Sequence, residues 1–449
     1  MMRCAASRLV AVFLAAGLLC AAAAPLAQER AAPLTAKMRA DALQAIGREF
    51  RERYVFPKMR PKILERLERG QRSGRYEVDD PFLFAERVTE DLREVSHDRH
   101  LSLRVDAPAY TAALASPDSD AGEEAFFRRQ AIRDHHGLVE MKRLPGNIRY
   151  LKISGFDWVN DETGGAYDAA MRFLREGDAI VIDVRDNGGG SHAAVRYLVS
   201  HFMDGDTLEM TFLEGDKPPV QSRILEHVPA GRLKGKPLYV LINGFTGSAA
   251  EAFAYDVQQF KLGELIGAKT SGAANNNKLL PIAPEFILSV SYGRPVHPVS
   301  QGNWEGTGVA PDVEAPSAQA LDLAQARALD RLSADPKASP EAQAEYAWVK
   351  VGVRARLHPV TLAPAALSAL AGRYGRPGGS GPGMAEIAYR DGALWLERPN
   401  RPTARLSPLT EDGLFALEGN DMARARLTGQ ALEMRWMDSP EPRIFPRAP

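Results

Sequence analysis

The sequence has 449 residues, of which 45% are hydrophobic and 25% charged, and its formal net charge is −1 at pH 7. A chain of this length is expected to form about three domains with sizeable cores. The balanced charge, without a basic stripe interleaved with aromatic residues, argues against nucleic acid as a partner.

The first 27 residues have the pattern of a cleaved export signal. Arg3 and Arg8 precede an apolar stretch over residues 9–19, and alanines near residues 23–27 offer small-residue cleavage sites. The apolar stretch is short for a membrane span, so no stable membrane insertion is expected after cleavage. The sequence therefore predicts an exported protein, either periplasmic or secreted.

Both cysteines of the chain, Cys4 and Cys20, fall within this signal. Cys20 follows Leu19 rather than a small residue, which disfavours lipoprotein anchoring. The processed chain would contain neither a disulfide nor a thiol nucleophile. Covalent catalysis would have to use Ser, Thr, Lys or a carboxylate.

The remaining chain shows a succession of patterns that predicts several domains. Helical periodicity comes first, and a strand then begins at His100. Buried strands alternate with helices from residue 146, shorter turn-rich segments follow residue 270, and a hairpin around Asp391-Gly392 opens a region of short strands. The predicted boundaries are 28–106 for an N-terminal helical domain, 107–145 for a connector with a loop over 107–123, 146–316 for the core, 317–358 for a helical linker and 359–449 for a small C-terminal β-domain.

Ser248 stands where a buried strand passes into a helix, in the segment GFTGSAAEAFA. Ser248-x-x-Glu251 fits a capping box, in which the serine only begins the helix. The same position suits a nucleophile, because a helix N-terminus supplies N–H groups and positive potential for an oxyanion. The residues alone leave both interpretations open.

Three consecutive glycines, residues 188–190, follow the strand in the segment IVIDVRDNGGG. Glycines allow the backbone to approach a ligand closely, although a sharp turn alone would also require them. The segment is neither a dinucleotide fingerprint nor a phosphate-binding P-loop, so no nucleotide cofactor is indicated.

Five segments together carry a family resemblance: GNIRYLKISGF, IVIDVRDNGGG, GFTGSAAEAFA, GAKTSG and NWEGTGVAPDVE, in that order. They resemble the S41 peptidases, which include tail-specific proteases, the tricorn protease core and interphotoreceptor retinoid-binding protein modules. The resemblance implies an α/β fold with a crotonase-like ββα core, here preceded by a small helical bundle and followed by the small C-terminal β-domain. It also implies serine peptidase chemistry with Ser248 as nucleophile and no cofactor.

The general base distinguishes the branches of this family. Tail-specific proteases use a lysine in a stretch resembling K-T-F-G-K-G, but here Ala273 occupies that position, and neither Lys269 nor Lys278 matches it. The tricorn-like branch uses a histidine that resembles His100 and a glutamate that resembles Glu305. Such a pair would accept the serine proton and orient the imidazole.

Other features of the resemblance are less complete. Tricorn-like sites place a serine beside the histidine, where this chain has Arg99. The oxyanion hole is expected to combine the N–H of Ala249 with that of Gly188 or Gly189. Too few residues lie between the strands near 101 and 148 for the PDZ domain that tail-specific proteases carry.

The histidines outside this set match no role in the family. We expect His97 and His192 to be structural, and the pair His135-His136 lacks a carboxylate cluster at ligand-like spacing. No metal site is therefore predicted.

The sequence thus predicts an exported serine peptidase that acts on peptides or unfolded proteins through an acyl-enzyme. Two alternatives stay open: a non-catalytic module with the same fold that binds a hydrophobic small molecule or peptide, and a purely structural role for Ser248 as a cap. The oligomeric state is also open, a homo-oligomer included.

Overall fold

The computed structural model describes residues 32–115, 128–215, 217–375 and 384–448. The predicted export signal and its two cysteines lie outside these residues. Within the described ranges, no helix combines the length and apolar character needed to cross a bilayer.

Helices and strands are numbered here in chain order. The helices with defined bounds are α1 Ala36–Arg53, α2 Arg60–Arg72, α3 Pro81–Ser96, α4 Ala107–Ala115, α5 Asp161–Arg175, α6 His192–Val199, α7 Ala249–Gln259, α8 Ser317–Ser333, α9 Pro340–Leu357 and α10 Pro364–Leu370. The strands up to the end of the core are β1 Ser102–Val105, β2 Leu138–Leu144, β3 Ile148–Ile153, β4 Ala179–Asp183, β5 Leu208–Leu213, β6 Val220–Arg223, β7 Leu238–Ile242, β8 Glu264–Gly267, β9 Asn276–Ile282, β10 Phe286–Val296 and β11 Val313–Glu314. The C-terminal strands are β12 Gly372–Gly375, β13 Met384–Arg390, β14 Ala393–Glu397, β15 Ala404–Pro408, β16 Leu414–Leu417, β17 Asn420–Leu427, β18 Ala431–Trp436 and β19 Ser439–Pro446.

Helices α1–α3 form because apolar residues recur on one face of each, and side-chain caps fix where two of them begin. Thr35 Oγ1 accepts a hydrogen bond from Met38 N at 3.2 Å before α1, and Asp80 Oδ1 accepts one from Phe82 N at 2.8 Å before α3. The apolar faces also pack against β1, β9 and β10. The helical bundle therefore shares one hydrophobic core with strands β1, β9 and β10.

The central sheet has the strand order β11-β8-β7-β4-β3-β2, and every neighbouring pair is parallel except β2–β3. Strands β4 and β7 are buried along their whole length, as expected for parallel strands covered on both faces. Helices α5, α6 and α7 cover one face, and α8 and α9 cover the other. The segment predicted as a linker is thus a structural layer of the core.

A second, antiparallel sheet has the order β1-β10-β5-β6, with β9 paired to β10. Ser102 at the start of β1 lies opposite Ser289 of β10. This pairing fixes the position of His100, which precedes β1 by two residues.

The C-terminal strands β12–β19 form an antiparallel sheet in sequence order. A bridge between Tyr374 of β12 and Arg447, just after β19, closes it into a barrel filled by its own apolar core. The Arg424 guanidinium stacks 4.1 Å from the ring centre of Trp348 and joins the barrel to α9.

The predicted fold class is confirmed: an α/β core follows a helical region and precedes a small β-domain. Two local predictions are wrong. The loop predicted over residues 107–123 is helical as α4 from 107 to 115, and its remainder lies outside the described residues. The short segments expected after residue 270 instead include the long hairpin β9–β10.

Candidate active site

Ser248 lies in a tight turn between β7 and α7. The turn is fixed by Asn243 N, which donates to Thr246 Oγ1 at 3.0 Å. Ser248 has φ 51° and ψ −118°, a backbone conformation that residues with a side chain rarely adopt. The structure therefore holds this serine in a strained position directly before Ala249, the first residue of the helix.

The glycine run packs against this turn. A Cβ added at Gly189 would lie 2.6 Å from Ser248 Cβ, and Gly189 has φ 111°, so only glycine fits there. Gly189 N already donates to Asn187 Oδ1 at 2.9 Å, which removes it as a free oxyanion donor. Gly188 is exposed, with open space around it. Of the predicted donors, Ala249 and Gly188 stay as candidates.

Glu251 is fully buried and ties the Ser248 turn to the loop of residues 270–275. Its carboxylate accepts hydrogen bonds from Ser248 N at 2.9 Å, Gly272 N at 2.6 Å and Ala273 N at 2.9 Å. The hydroxyls of Thr270 and Ser271 also donate to it. Glu251 therefore keeps the capping position expected from the sequence and, in addition, fixes this loop against the turn.

His100 lies between α3 and β1 with most of its ring buried, and its backbone N–H donates to Asp98 Oδ1 at 3.0 Å. Burial lowers the pKa of His100 below its ordinary value of 6.5, while Asp98 and Glu251 act in the opposite direction. The ring is therefore neutral near pH 7 and able to accept a proton.

Glu305 lies beside the His100 ring, with its Oε2 4.0 Å from His100 Nδ1. That distance suits an ion pair and exceeds a hydrogen bond. Glu305 Oε2 accepts from Ala274 N at 2.6 Å and Asn275 N at 2.9 Å, and Oε1 accepts from Arg99 N at 3.4 Å. Burial, followed by the negative charge of Asp98, raises the pKa of Glu305.

Asp98 is a buried member of this cluster that the sequence analysis did not identify. Its Oδ2 accepts hydrogen bonds from Tyr54 Oη at 3.3 Å and Asn275 Nδ2 at 3.2 Å. The Asp-x-His spacing was the available signal, since an aspartate often accepts the N–H two residues on. Asp98 therefore orients the segment that carries His100.

Asp98, His100 and Glu305 offer ligand atoms within 4.8 Å of one another, a grouping found nowhere else in the described ranges. The carboxylates of Asp98 and Glu305 already accept hydrogen bonds from protein donors. The cluster therefore suits proton transfer, and the expectation of no metal site stays a prediction.

Ser248 borders a cleft of about 170 Å³. Within the described chain, no hydrogen bond joins the Ser248 hydroxyl to the His100 ring. Such catalytic hydrogen bonds are often long in unliganded enzymes and shorten when substrate binds. Glu251 accepts a hydrogen bond from Ser248 N, and its negative charge opposes the lowering of the His100 pKa.

The other lysine and histidine candidates from the sequence differ in their surroundings. Lys278 is exposed, with its Nζ 4.9 Å from the ring centre of Tyr292. His97 lies at the C-cap of α3, and His136 Nδ1 lies 3.0 Å from Thr163 Oγ1. His192 borders the cleft, and its structural role stays a prediction.

Comparisons with known proteins find similarity mainly in the α/β core. Residues 147–315 match the family model described as Peptidase family S41. The tail-specific protease of Haemophilus influenzae is 26% identical over 199 residues, covering 41% of this chain and 27% of that protein. A CtpA-like serine protease of Staphylococcus aureus is 24% identical over 206 residues, covering 45% of this chain and 40% of that protein. The chain thus spans less than half the length of either relative.

A solved lipoprotein from Streptococcus agalactiae is also similar, with a TM-score of 0.45 and 15% identity. The similarity covers 66% of this chain and 98% of that one.

Proposed function

We propose that the protein is a serine peptidase that hydrolyses peptide bonds through an acyl-enzyme, because residues 147–315 match the model of peptidase family S41. The observation that carries the proposal is Ser248, held at a strained positive φ at the N-terminus of α7 and bordering a cleft. Asn160 has a similar backbone conformation before α5, so Ser248 is distinguished by also bordering the cleft.

In this proposal, His100 accepts the Ser248 proton as the hydroxyl attacks the substrate carbonyl, and later returns it to the leaving amine. Its lowered pKa supports this role, because a base must be neutral before it acts. Glu305, 4.0 Å from Nδ1, stabilises the imidazolium that forms. Substrate binding is expected to shorten both contacts.

The tetrahedral oxyanion would be stabilised by the N–H groups of Ala249 and Gly188. Ala249 is the first residue of α7, where N–H groups have no partner within the helix. Gly188 lies in the exposed part of the glycine run. Losing one such donor lowers turnover by about 10²–10³-fold.

The decisive experiment compares wild type with Ser248→Ala on a labelled-peptide library. We expect hydrolysis to disappear in Ser248→Ala and to persist in Ser368→Ala, which alters an exposed serine of α10. His100→Ala should also abolish turnover, whereas the exposed His227→Ala should not. Robust hydrolysis by His100→Ala would refute the Ser-His assignment.

A binding module without turnover is the second candidate, and the missing hydrogen bond between Ser248 and His100 favours it. A fluorophosphonate probe, which phosphonylates an activated serine with loss of fluoride, distinguishes the two. A catalytic Ser248 adds the mass of the probe less HF in wild type but not in His100→Ala. An inert module adds none in either protein, although it would still bind peptides.

We also propose that the protein is exported and acts on peptides or unfolded protein segments that can enter an open cleft. The N-terminal signal pattern supports export. Mass spectrometry of the secreted or periplasmic protein should find a chain that begins near residues 23–28. A full-length chain retained in the cytoplasm would contradict the proposal.

A further inference from the structure

His192 borders the same cleft as Ser248 but has no part in the proposed chemistry. Its ring packs edge-on against Phe212, with ring centres 4.7 Å apart. Met210, Phe212 and Tyr292 line the cleft with it. His192 therefore lies among apolar and aromatic residues in a cleft that asparagines also line.

One edge of the His192 ring is fixed by hydrogen bonds. Nε2 lies 3.1 Å from both Glu209 Oε2 and Ser222 Oγ, and the Ser222 hydroxyl donates to Glu209 Oε2 at 2.5 Å. Because an ionised carboxylate only accepts hydrogen bonds, Nε2 carries the proton. The neutral ring then presents Nδ1 as an acceptor.

Glu209 is fully buried and must stay ionised for this arrangement to hold. Burial alone would raise the pKa of Glu209, but His192, Ser222 and Asp256 together hold it below its ordinary value. Burial and the neighbouring Glu209 raise the pKa of Asp256 well above its ordinary value. The His192 ring and the Ser222 hydroxyl both bind the same ionised carboxylate oxygen of Glu209, which fixes the tautomer of His192.

The opposite edge of the ring is available to a ligand. His192 Nδ1 makes no hydrogen bond to any described residue, and it is not buried. The side chain is 24% exposed, and its ring lines the cleft. Nδ1 is thus an acceptor without a partner in the described chain, on a residue that lines the cleft.

We infer that His192 forms a specificity subsite that selects a substrate side chain carrying a hydrogen-bond donor, such as the hydroxyl of threonine or tyrosine, in preference to its apolar isostere. The inference rests on the proposed function for the identity of the ligand as a peptide. The donor would bind Nδ1, while Phe212 contacts the carbon atoms of the same side chain. A water-accessible neutral hydrogen bond predicts a preference of about three- to tenfold.

The test uses peptide pairs that differ only by Thr/Val or Tyr/Phe at each position flanking the cleaved bond. At one position we expect kcat/KM to favour the hydroxyl member by about three- to tenfold. His192→Gln keeps an amide donor for Glu209 but removes the Nδ1 acceptor, so it should abolish the preference. His192→Asn places an amide oxygen near the Nδ1 position and should retain part of it. His227→Gln is the control, and thermal melting verifies that each variant is folded.

The same peptide pairs are then bound to Ser248→Ala and followed by fluorescence anisotropy, which requires no turnover. Binding that favours the hydroxyl, without hydrolysis by wild type, would refute the peptidase and keep the subsite. Hydrolysis and binding without any preference would refute the subsite and keep the peptidase. A preference that persists in folded His192→Gln would also overturn the assignment to His192.

Discussion

Replacement of Ser248 by glycine tests whether the turn before α7 is strained. Ser248 has φ 51° and ψ −118°, and Asn160 has nearly the same conformation, φ 51° and ψ −127°, before α5. Residues with a side chain are destabilised there by about 1–3 kcal/mol, whereas glycine is not. Asn160→Gly is therefore a matched variant outside the candidate site.

The expected magnitude follows from opposing contributions. Relief of strain adds about 1–3 kcal/mol to the free energy of unfolding, and the greater freedom of glycine in the unfolded chain removes about 0.4–1 kcal/mol. A lost serine cap removes a few tenths more. Ser248→Gly should thus be more stable than wild type by roughly 0–2 kcal/mol, with a central value of about 1 kcal/mol.

Urea unfolding followed by tryptophan fluorescence measures this difference. A gain of about 1 kcal/mol raises the urea midpoint by about 0.3–0.5 M for an m-value of about 2–3 kcal/mol/M. Ser248→Gly should gain stability and lose activity, while Asn160→Gly should gain stability and keep activity. If Asn160→Gly is stabilised but Ser248→Gly is less stable than wild type, Ser248 is a cap and the strain argument fails.

Three further predictions concern the surroundings of the site. Gly189→Ala should lower the free energy of unfolding by about 2–5 kcal/mol, because its Cβ would overlap Ser248 and its φ is positive, whereas Gly188→Ala should melt like wild type. Asp98→Asn removes a charge that raises the pKa of His100, so the acid limb of the kcat/KM profile should move to lower pH; a move to higher pH would contradict the electrostatic argument. Asp256 keeps its proton in the folded state, and the resulting stabilisation of the fold is fully present below the ordinary pKa of 3.8. This stabilisation is lost as the pH rises through the raised pKa of Asp256. Asp256→Asn should therefore lose less stability than wild type between acid and neutral pH in urea titrations, and an equal loss would show that this carboxyl ionises freely.

Much of the core could be predicted because its strands are continuous apolar runs between helical patterns. The same signal fails at β9–β10, where Pro281, Pro284 and Pro295 interrupt the alternation. It fails at α4 because the residues are small and lack an apolar stripe, so the helix is set by packing against β9 and β10.

The candidate site was predictable only as far as motif matches extend. Ser248, His100 and Glu305 were found in this way, and the structure brings the last two to within 4.0 Å. Asn275 and Glu209 could not be found, because their partners are distant along the chain. The orientation of such side chains depends on tertiary packing, which no local pattern encodes.

The proposed base and nucleophile belong to different hydrophobic cores. His100 follows α3, whose apolar face packs in the core shared with β9 and β10, and Ser248 begins α7, which packs on the central sheet. The matched family segment, residues 147–315, does not contain His100. A shift of about 1 Å between the two cores would lower the rate about 10²-fold while leaving each core intact. A molecule that binds the N-terminal helices and shifts them could therefore change the proposed activity by moving His100 relative to Ser248, without contacting a reacting atom.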